Sequence, residues 1–372
     1  MDISVEKKRI LYLDLARTVA IISISTNHAV NRSYAIYSGQ QMEYLQLSFA
    51  ENIFKAVVYV FSRIGVPLFM MITGVLVLRK SFESEKEVRS FYKYNWGRML
   101  LTTEIWLFIM YWVQCLLDLL GGKELAPLGE LIAGCVYNAC FINQKTFGSI
   151  WYMQMILPLY LVLPVFAVFI KKGGGKYLVL PAGLLFFMSF LIPSVNTFIV
   201  RNQGTDLFGI TLVEPVAHLV LYIFAGYYIS SEQCILRKIR KDVLFGVLTL
   251  LLFGICVFDQ FYGFGQAYDY HVGYESVSIF VLSCVIFEWF RRNDRAIFPV
   301  RRWVHWISSA SFAIYFVHIV IMDLLNQLIV FEGWTRYWKL FFLEGVAVGG
   351  AVVVIAILSA NRLIRKYVFL IK

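Results

Sequence analysis

The sequence predicts an all-α integral membrane protein of about ten transmembrane helices with both termini in the cytoplasm. Three observations carry this. The chain is 59% hydrophobic and only 16% charged. Apolar stretches of about 20 residues, enough to cross a bilayer, recur along its whole length. Its Lys and Arg residues fall in alternate loops.

Spans are expected at roughly 10–30, 53–78, 98–120, 150–170, 177–195, 213–230, 243–262, 275–291, 304–330 and 338–361. With the N-terminus inside, 25 basic residues fall in inside segments, among them the runs Arg79–Arg98 and Arg291–Arg302 and the group Arg362, Arg365 and Lys366. Only six fall outside: Arg32, Lys123, Lys145, Arg201, Arg336 and Lys339. That asymmetry is the positive-inside pattern. The net charge of +10 is therefore topological, and no nucleic-acid partner is expected.

One polytopic domain is expected over 1–372, with no soluble domain. The first apolar stretch is not a cleavable signal, because Asp14 and Arg17 interrupt it. Residues 124–148 are long and moderately apolar, so an extra or re-entrant helix has room there. Cys115, Cys256 and Cys284 fall in spans and Cys234 in an inside loop. Cys135 and Cys140 share an outside loop, and free thiols are expected throughout. No spacing of Cys or His suggests a metal. Lys171-Lys172-Gly-Gly-Gly-Lys176 is a turn and not a phosphate-binding loop, since no G-x-x-x-x-G-K-[ST] pattern is present.

The first span, Leu11 to His28, is the most informative. Asp14 and Arg17 are three residues apart and share a helical face. His28 follows Arg17 by eleven residues, about 16 Å along a helix and close to the same face. A charge near the bilayer centre costs about 2.5–3.5 kcal/mol on insertion scales, so this stripe should face protein or water. It is either a buried packing pair with an interfacial histidine or a path lined for chemistry.

The second span, F-S-R-I-G-V-P-L-F-M-M-I-T-G, places Arg63 beside Gly65 and Pro67, which suggests a kinked cavity wall. The ninth, S-F-A-I-Y-F-V-H-I-V-I-M-D, puts Tyr315 and His318 on one face, at the membrane depth of His28. His218, His271 and His305 lie near span ends or loops and read as structural. The basic run from Arg79 to Arg98 serves topology, and Arg98, which opens a span, is also a candidate anion contact.

Together these segments resemble the membrane-bound acyltransferase-3 family. Arg17, ten residues and His28 fit its hallmark, preceded by Leu13-Asp14-Leu15-Ala16-Arg17. R-I-G-V-P-L-F-M-M-I-T-G resembles its second span, with Thr73 where serine is commoner. I-W-Y-M-Q-M-I-L-P-L-Y-L-V-L-P, F-A-G-Y-Y and S-F-A-I-Y-F-V-H resemble later spans, in family order. Two features depart. The family's R-x-x-R is Asn95-Trp96-Gly97-Arg98 here, with Lys93 nearby. Ser149 stands near the place of a histidine.

The resemblance implies a membrane enzyme, in the cytoplasmic membrane of a bacterium. It would move an acyl group, usually acetyl, from cytoplasmic acyl-CoA to a hydroxyl of an extracytoplasmic glycan or lipid-linked saccharide. No permanently bound cofactor is implied; acyl-CoA is a substrate. Some members carry a fused extracytoplasmic SGNH-type domain. This chain is expected to lack one, so the membrane domain would suffice alone or with a partner, and a homo-oligomer is allowed.

Arg98 and Lys93 would contact the donor's phosphates. His28 would be general base or transient acyl carrier, with Arg17 and Asp14 on its stripe. Arg63, Tyr315 or His318 would stabilise the oxyanion, and Trp151 would line the substrate path. A proton-coupled transporter or flippase of a polar lipid or sugar is the alternative that intramembrane Asp, Arg and His also suit. A non-catalytic sensor or assembly subunit is the third.

Overall fold

A chain this apolar must satisfy its backbone hydrogen bonds internally, and in lipid a helix does so within one segment. The computed structural model describes residues 10–34, 36, 47–139, 150–203, 217–264, 272–293 and 301–371. Among these residues it is helical and contains no strand. Lys7, Lys8, Arg9, Cys140, Lys145, Ser149, His271, Arg295 and Lys372 lie outside the described residues, as does the side chain of Arg201.

The helices, in order, begin with α1 (Leu11–Tyr34), α2 (Phe49–Arg63), α3 (Gly65–Val77), α4 (Glu85–Phe91) and α5 (Gly97–Leu120). Then come α6 (Leu128–Ala139), α7 (Trp151–Lys171), α8 (Val179–Phe186), α9 (Ile192–Gln203) and α10 (Ala217–Ile229). The last are α11 (Asp242–Phe264), α12 (Val277–Arg292), α13 (Arg301–Leu328) and α14 (Arg336–Leu358). Each of the ten expected spans coincides with a helical segment. Among the described residues, seven segments are long and apolar enough to cross a membrane by themselves. The chain is a multi-pass helical membrane protein.

The three expected spans outside those seven have identifiable reasons. α10 and α12 are short, at 13 and 16 residues. α1 has the length, at 24 residues, but carries Asp14, Arg17 and many Ser, Thr and Asn side chains. Such a helix needs protein around it, and it has that: α1 packs against α2, α3, α12, α13 and α14. The helices that do face outward are uniformly apolar. Only 11% of the apolar window in α11 is buried, against 83% for the α2–α3 segment.

The expected kink of the second span is a break. α2 ends at Arg63, Ile64 separates it from α3, and Pro67 falls in the first turn of α3, where a missing N–H costs little. α1 holds this break in place. The Ser23 hydroxyl donates to the Phe61 carbonyl at 2.8 Å. A Cβ on Gly65 would lie 2.7 Å from the Ala20 carbonyl oxygen, so only glycine allows this approach. Further along, Gly74 faces the Ile223 backbone and Gly226 faces the Met71 backbone. This reciprocal glycine contact brings α3 and α10 together, as small residues do at membrane helix interfaces.

α1 and α13 run in the same direction. The Thr18 hydroxyl donates to the Val304 carbonyl at 3.1 Å near one end, and Arg32 pairs with Asp323 near the other. α14 returns antiparallel and sets Glu344 against Ser25 and Thr26, whose hydroxyls donate to it at 2.8 and 3.3 Å. The sequence ranks α1 and α13 first and ninth of ten spans, an even number of crossings apart, so a parallel pair agrees with that order.

The stretch 124–148 contributes α6, whose 12 residues measure about 18 Å, short of a span. It is tied to α5 by Asn138, which donates to the Leu107 carbonyl at 3.0 Å. At the end rich in basic residues, Glu288 is fully buried and takes Arg291 at 2.6 Å and Arg292 at 2.9 Å. Lys171 pairs with Glu83 at 2.5 Å and holds that carboxyl below its ordinary range.

A candidate active site along α1

Asp14 and Arg17 sit where α1 meets α13 and α3. Asp14 is 3% exposed. The Ser308 hydroxyl donates to its Oδ1 at 2.6 Å, and His305 Nδ1 lies 3.4 Å from Oδ2. Arg17 is 3.6 Å from Oδ1, so the expected pair is present but is the longest of the three contacts. Asp14 fastens α1 to α13 and steadies Arg17 from behind. The guanidinium, whose side chain keeps 26% of its surface, is the group left facing open space.

That space is a cavity of about 180 Å³ between α1, α3, α5, α7 and α13. Arg17, Thr73, Tyr152, Tyr160 and Tyr315 line it, with Ile72, Met99 and Phe312 among its apolar walls. It is narrow, mostly apolar and carries one cationic group, which suits a thin chain with a polar carbonyl or amide and not a bulky saccharide.

Outward from Tyr315 the chemistry becomes richer. The rings of Tyr315 and His318 are 6.4 Å apart, and those of His318 and His28 are 5.4 Å apart. His318 is fully buried, and its Nδ1 lies 2.6 Å from the Ile314 carbonyl. A carbonyl only accepts, so Nδ1 carries the proton. Nε2 is then an acceptor, buried and with no hydrogen-bond partner among the described residues. Arg32, one turn further on α1, donates to the His28 carbonyl at 3.2 Å.

Arg63 closes the arrangement from the α2–α3 break. Its guanidinium lies 4.3 Å from the ring centre of Tyr59 and 5.4 Å from that of Tyr274. Tyr274 meets Trp151 at 5.9 Å, Trp151 meets Tyr152 at 6.4 Å, and Tyr152 meets Tyr315 at 6.1 Å. The expected residues Arg63, Trp151, Tyr315, His318 and His28 thus belong to one continuous enclosure of rings and cations.

Arg98 and Lys93 lie apart from it, at the start of α5. Both stand over the ring of Tyr94, at 5.2 and 5.3 Å. A turn of π-helix, Tyr92–Trp96, precedes α5 and is pinned to α7 by Trp96 and Tyr92, which donate to the carbonyls of Leu157 and Leu161 at 3.0 and 2.9 Å. Arg98 lines a basic pocket at that end, and Lys93 is not among its lining residues.

Sequence reasoning missed several participants. Tyr59, Tyr274 and Tyr152 carry no signature beyond being aromatic. Ser308 and His305 come to Asp14 from 294 and 291 residues away. Glu344 did have a signal, as an isolated carboxylate in an apolar span. Among the described residues, no group of His, Cys, Asp and Glu is arranged to hold a metal. Cys115, Cys135, Cys234, Cys256 and Cys284 are free thiols.

No curated protein matches the chain, and no solved structure does. A family model described as an acyltransferase domain does match, over residues 10–360. That match takes in α1 with its Arg17–His28 stripe, the α2–α3 break and the His318 helix, and it covers nearly the whole chain. The chain belongs to the acyltransferase-3 family.

Proposed function

We propose that this protein transfers an acyl group, acetyl by default, from acyl-CoA at its basic end to a saccharide or glycolipid hydroxyl at the opposite end. In this reading the basic end is cytoplasmic, the membrane is a bacterial cytoplasmic membrane and the acceptor is extracytoplasmic. The observation that supports it most is the position of the two imidazoles. They meet about 16 Å beyond Arg17 on the same helix, with the narrow cavity beginning at Arg17 and ending at Tyr315.

The donor's pantetheine arm fits such a cavity, and Arg17 offers its carbonyls a charged donor. The thioester carbon then lies near His28. As the acceptor oxygen attacks that carbon, His28 takes the hydroxyl proton; the C–S bond breaks, and the proton passes to the departing thiolate. His28 as transient acyl carrier is the variant of the same chemistry, with C–N formed before C–O. His318 Nε2 offers a fixed acceptor on a ring whose centre lies 5.4 Å from that of His28. Arg63 supplies positive charge for the oxyanion. Asp14 acts through Arg17 and is a positioning residue.

The test is consumption of acetyl-CoA by purified protein in the presence of a cell-envelope glycan fraction. Wild type should release free CoA and acetylate the glycan. His28→Ala should lose about 10²–10⁴-fold in rate while remaining folded. Full activity in that variant would remove the mechanism. Glycan uptake without acyl-CoA dependence would replace the reading with transport.

A further inference from the structure

The last residues of the chain form a fixed structure. After α14, Asn361 Oδ1 caps a new turn by accepting from the Leu363 and Ile364 amides at 2.9 and 3.3 Å. The turn is π-helical, Ile364–Val368, and it docks on α5. Thr102 donates to the Tyr367 carbonyl at 2.6 Å, and the Trp106 indole donates to the Val368 carbonyl at 2.9 Å. Phe369 is buried against Trp106. Leu370 then adopts φ of 52°, a conformation that costs a non-glycine residue energy and that tends to persist at ligand sites.

This docking creates a pocket of about 670 Å³ between the start of α5 and the C-terminal turn. Arg98, Arg362, Arg365 and Lys366 line it together with Leu370 and Ile371, and no carboxylate side chain is among its described lining residues. Elsewhere at this end arginines are compensated: Glu288 holds Arg291 and Arg292, and the Ser230 carbonyl accepts from Arg79. Four cations drawn together by this hydrogen-bonded turn, over a strained backbone and without a counter-charge among the described lining residues, are arranged for an external polyanion. On α5, Arg98 faces this pocket and the adjacent Met99 faces the narrow cavity that begins at Arg17, so the two spaces adjoin.

We propose that Arg98, Arg362, Arg365 and Lys366 bind the phosphate of one anionic ligand, and that the C-terminal turn is therefore part of the substrate-binding machinery. Two ligands carry that chemistry: the nucleotide end of acyl-CoA and the headgroup of an anionic phospholipid. The first deepens the function proposed above and rests on it. The anion site itself does not, and equilibrium binding separates the two.

The experiment uses the full chain, purified in detergent and in nanodiscs. One arm titrates adenosine 3′,5′-bisphosphate, which shares the donor's 3′-phosphate and one of its two 5′-phosphates and has no thioester. The other measures enrichment of phosphatidylglycerol over phosphatidylcholine around the protein. The double variant Arg362→Gln/Arg365→Gln should lose about tenfold or more in one arm, with a weaker dependence on salt, because surface charge interactions are screened. Lys366→Gln, at an exposed position, should show a smaller loss in the same arm and serves if the double change unfolds the turn. Loss in the first arm names the donor; loss in the second names lipid. Wild-type binding by both variants in both arms, or no binding by the native protein in either, overturns the site. His28→Ala should bind both probes normally, so failure of the transfer chemistry and failure of this site read out separately.

Discussion

Ser308 holds the Asp14 carboxylate at 2.6 Å, a full ångström closer than the Arg17 guanidinium that shares its helix. The acid that seemed to belong to Arg17 is first a clasp between α1 and α13. A buried hydrogen bond to a charged group contributes about 1.5–3 kcal/mol. Ser308→Ala should lower the thermal midpoint in detergent measurably, while Asp14→Leu should lower it further by stranding Arg17 and Ser308 together. Asp14→Asn keeps an acceptor for Ser308 and should fold, with reduced transfer activity. Equal midpoints for wild type and Ser308→Ala would show that the clasp contributes nothing.

His318 presents a bare acceptor to His28. If Nε2 accepts from His28 only during transfer, replacing it removes one charge-assisted hydrogen bond of the transition state, and the rate should fall by about 10–150-fold. His318→Leu should show this in kcat, with little change in donor KM. His318→Asn, which keeps an acceptor, should recover part of the loss. A KM effect with unchanged kcat would make His318 a binding residue instead.

Arg17 is the one cation among the described residues that line the narrow cavity. Arg17→Ala should inactivate by misplacing the acyl arm, and Arg17→Lys should retain only a minor fraction, because an ammonium cannot reproduce the planar fork. The check is a parallel measurement of turnover and of acetyl-CoA binding. Normal turnover in Arg17→Ala would dismiss the cavity as the donor's path.

Gly74 and Gly226 meet backbone, not flexible side chains, so an added Cβ has nowhere to go. Gly74→Val or Gly226→Val should cost about 1–3 kcal/mol or block assembly. Gly254, with open space around it, is the control, and Gly254→Ala should be silent by the same thermal assay.

Glu344 accepts from both Ser25 and Thr26 inside the bundle. Glu344→Gln keeps a carbonyl oxygen for Ser25 and should be mild. Glu344→Leu leaves two hydroxyls of α1 to find other partners and should reduce stability more. The ratio of folded to aggregated protein after extraction at graded temperature distinguishes them.

Much of this architecture is legible in the sequence because lipid leaves the backbone few choices. Apolar length marked a helical segment at each of the ten expected spans, and the spacing of Arg17 and His28 marked a face of α1 along which Arg17 lines a cavity and His28 meets His318. What the sequence concealed has one cause. Ser308 and His318, which meet Asp14 and His28, and Tyr274, which meets Arg63, lie far along the chain, and side chains such as Ser308, Tyr59 and Tyr274 acquire significance only through contact. The C-terminal cations were visible, but topology alone explains their presence, so nothing in their order hinted that they gather around Arg98. Glu344 was readable by the reasoning applied to Asp14, a lone charge that lipid would penalise.

The parallel pairing of α1 with α13 has a consequence for biosynthesis. The first helix to leave the ribosome bears Arg17 and His28, yet the groups that hold and complement them arrive nearly 300 residues later. Until then α1 is a polar helix without its main neighbours, and it must wait in the membrane or its insertion machinery. Contacts of such long sequence separation form slowly and late. Nascent chains that stop short of α13 should therefore be inert and prone to clearance, and the site takes shape only once α13 has joined α1.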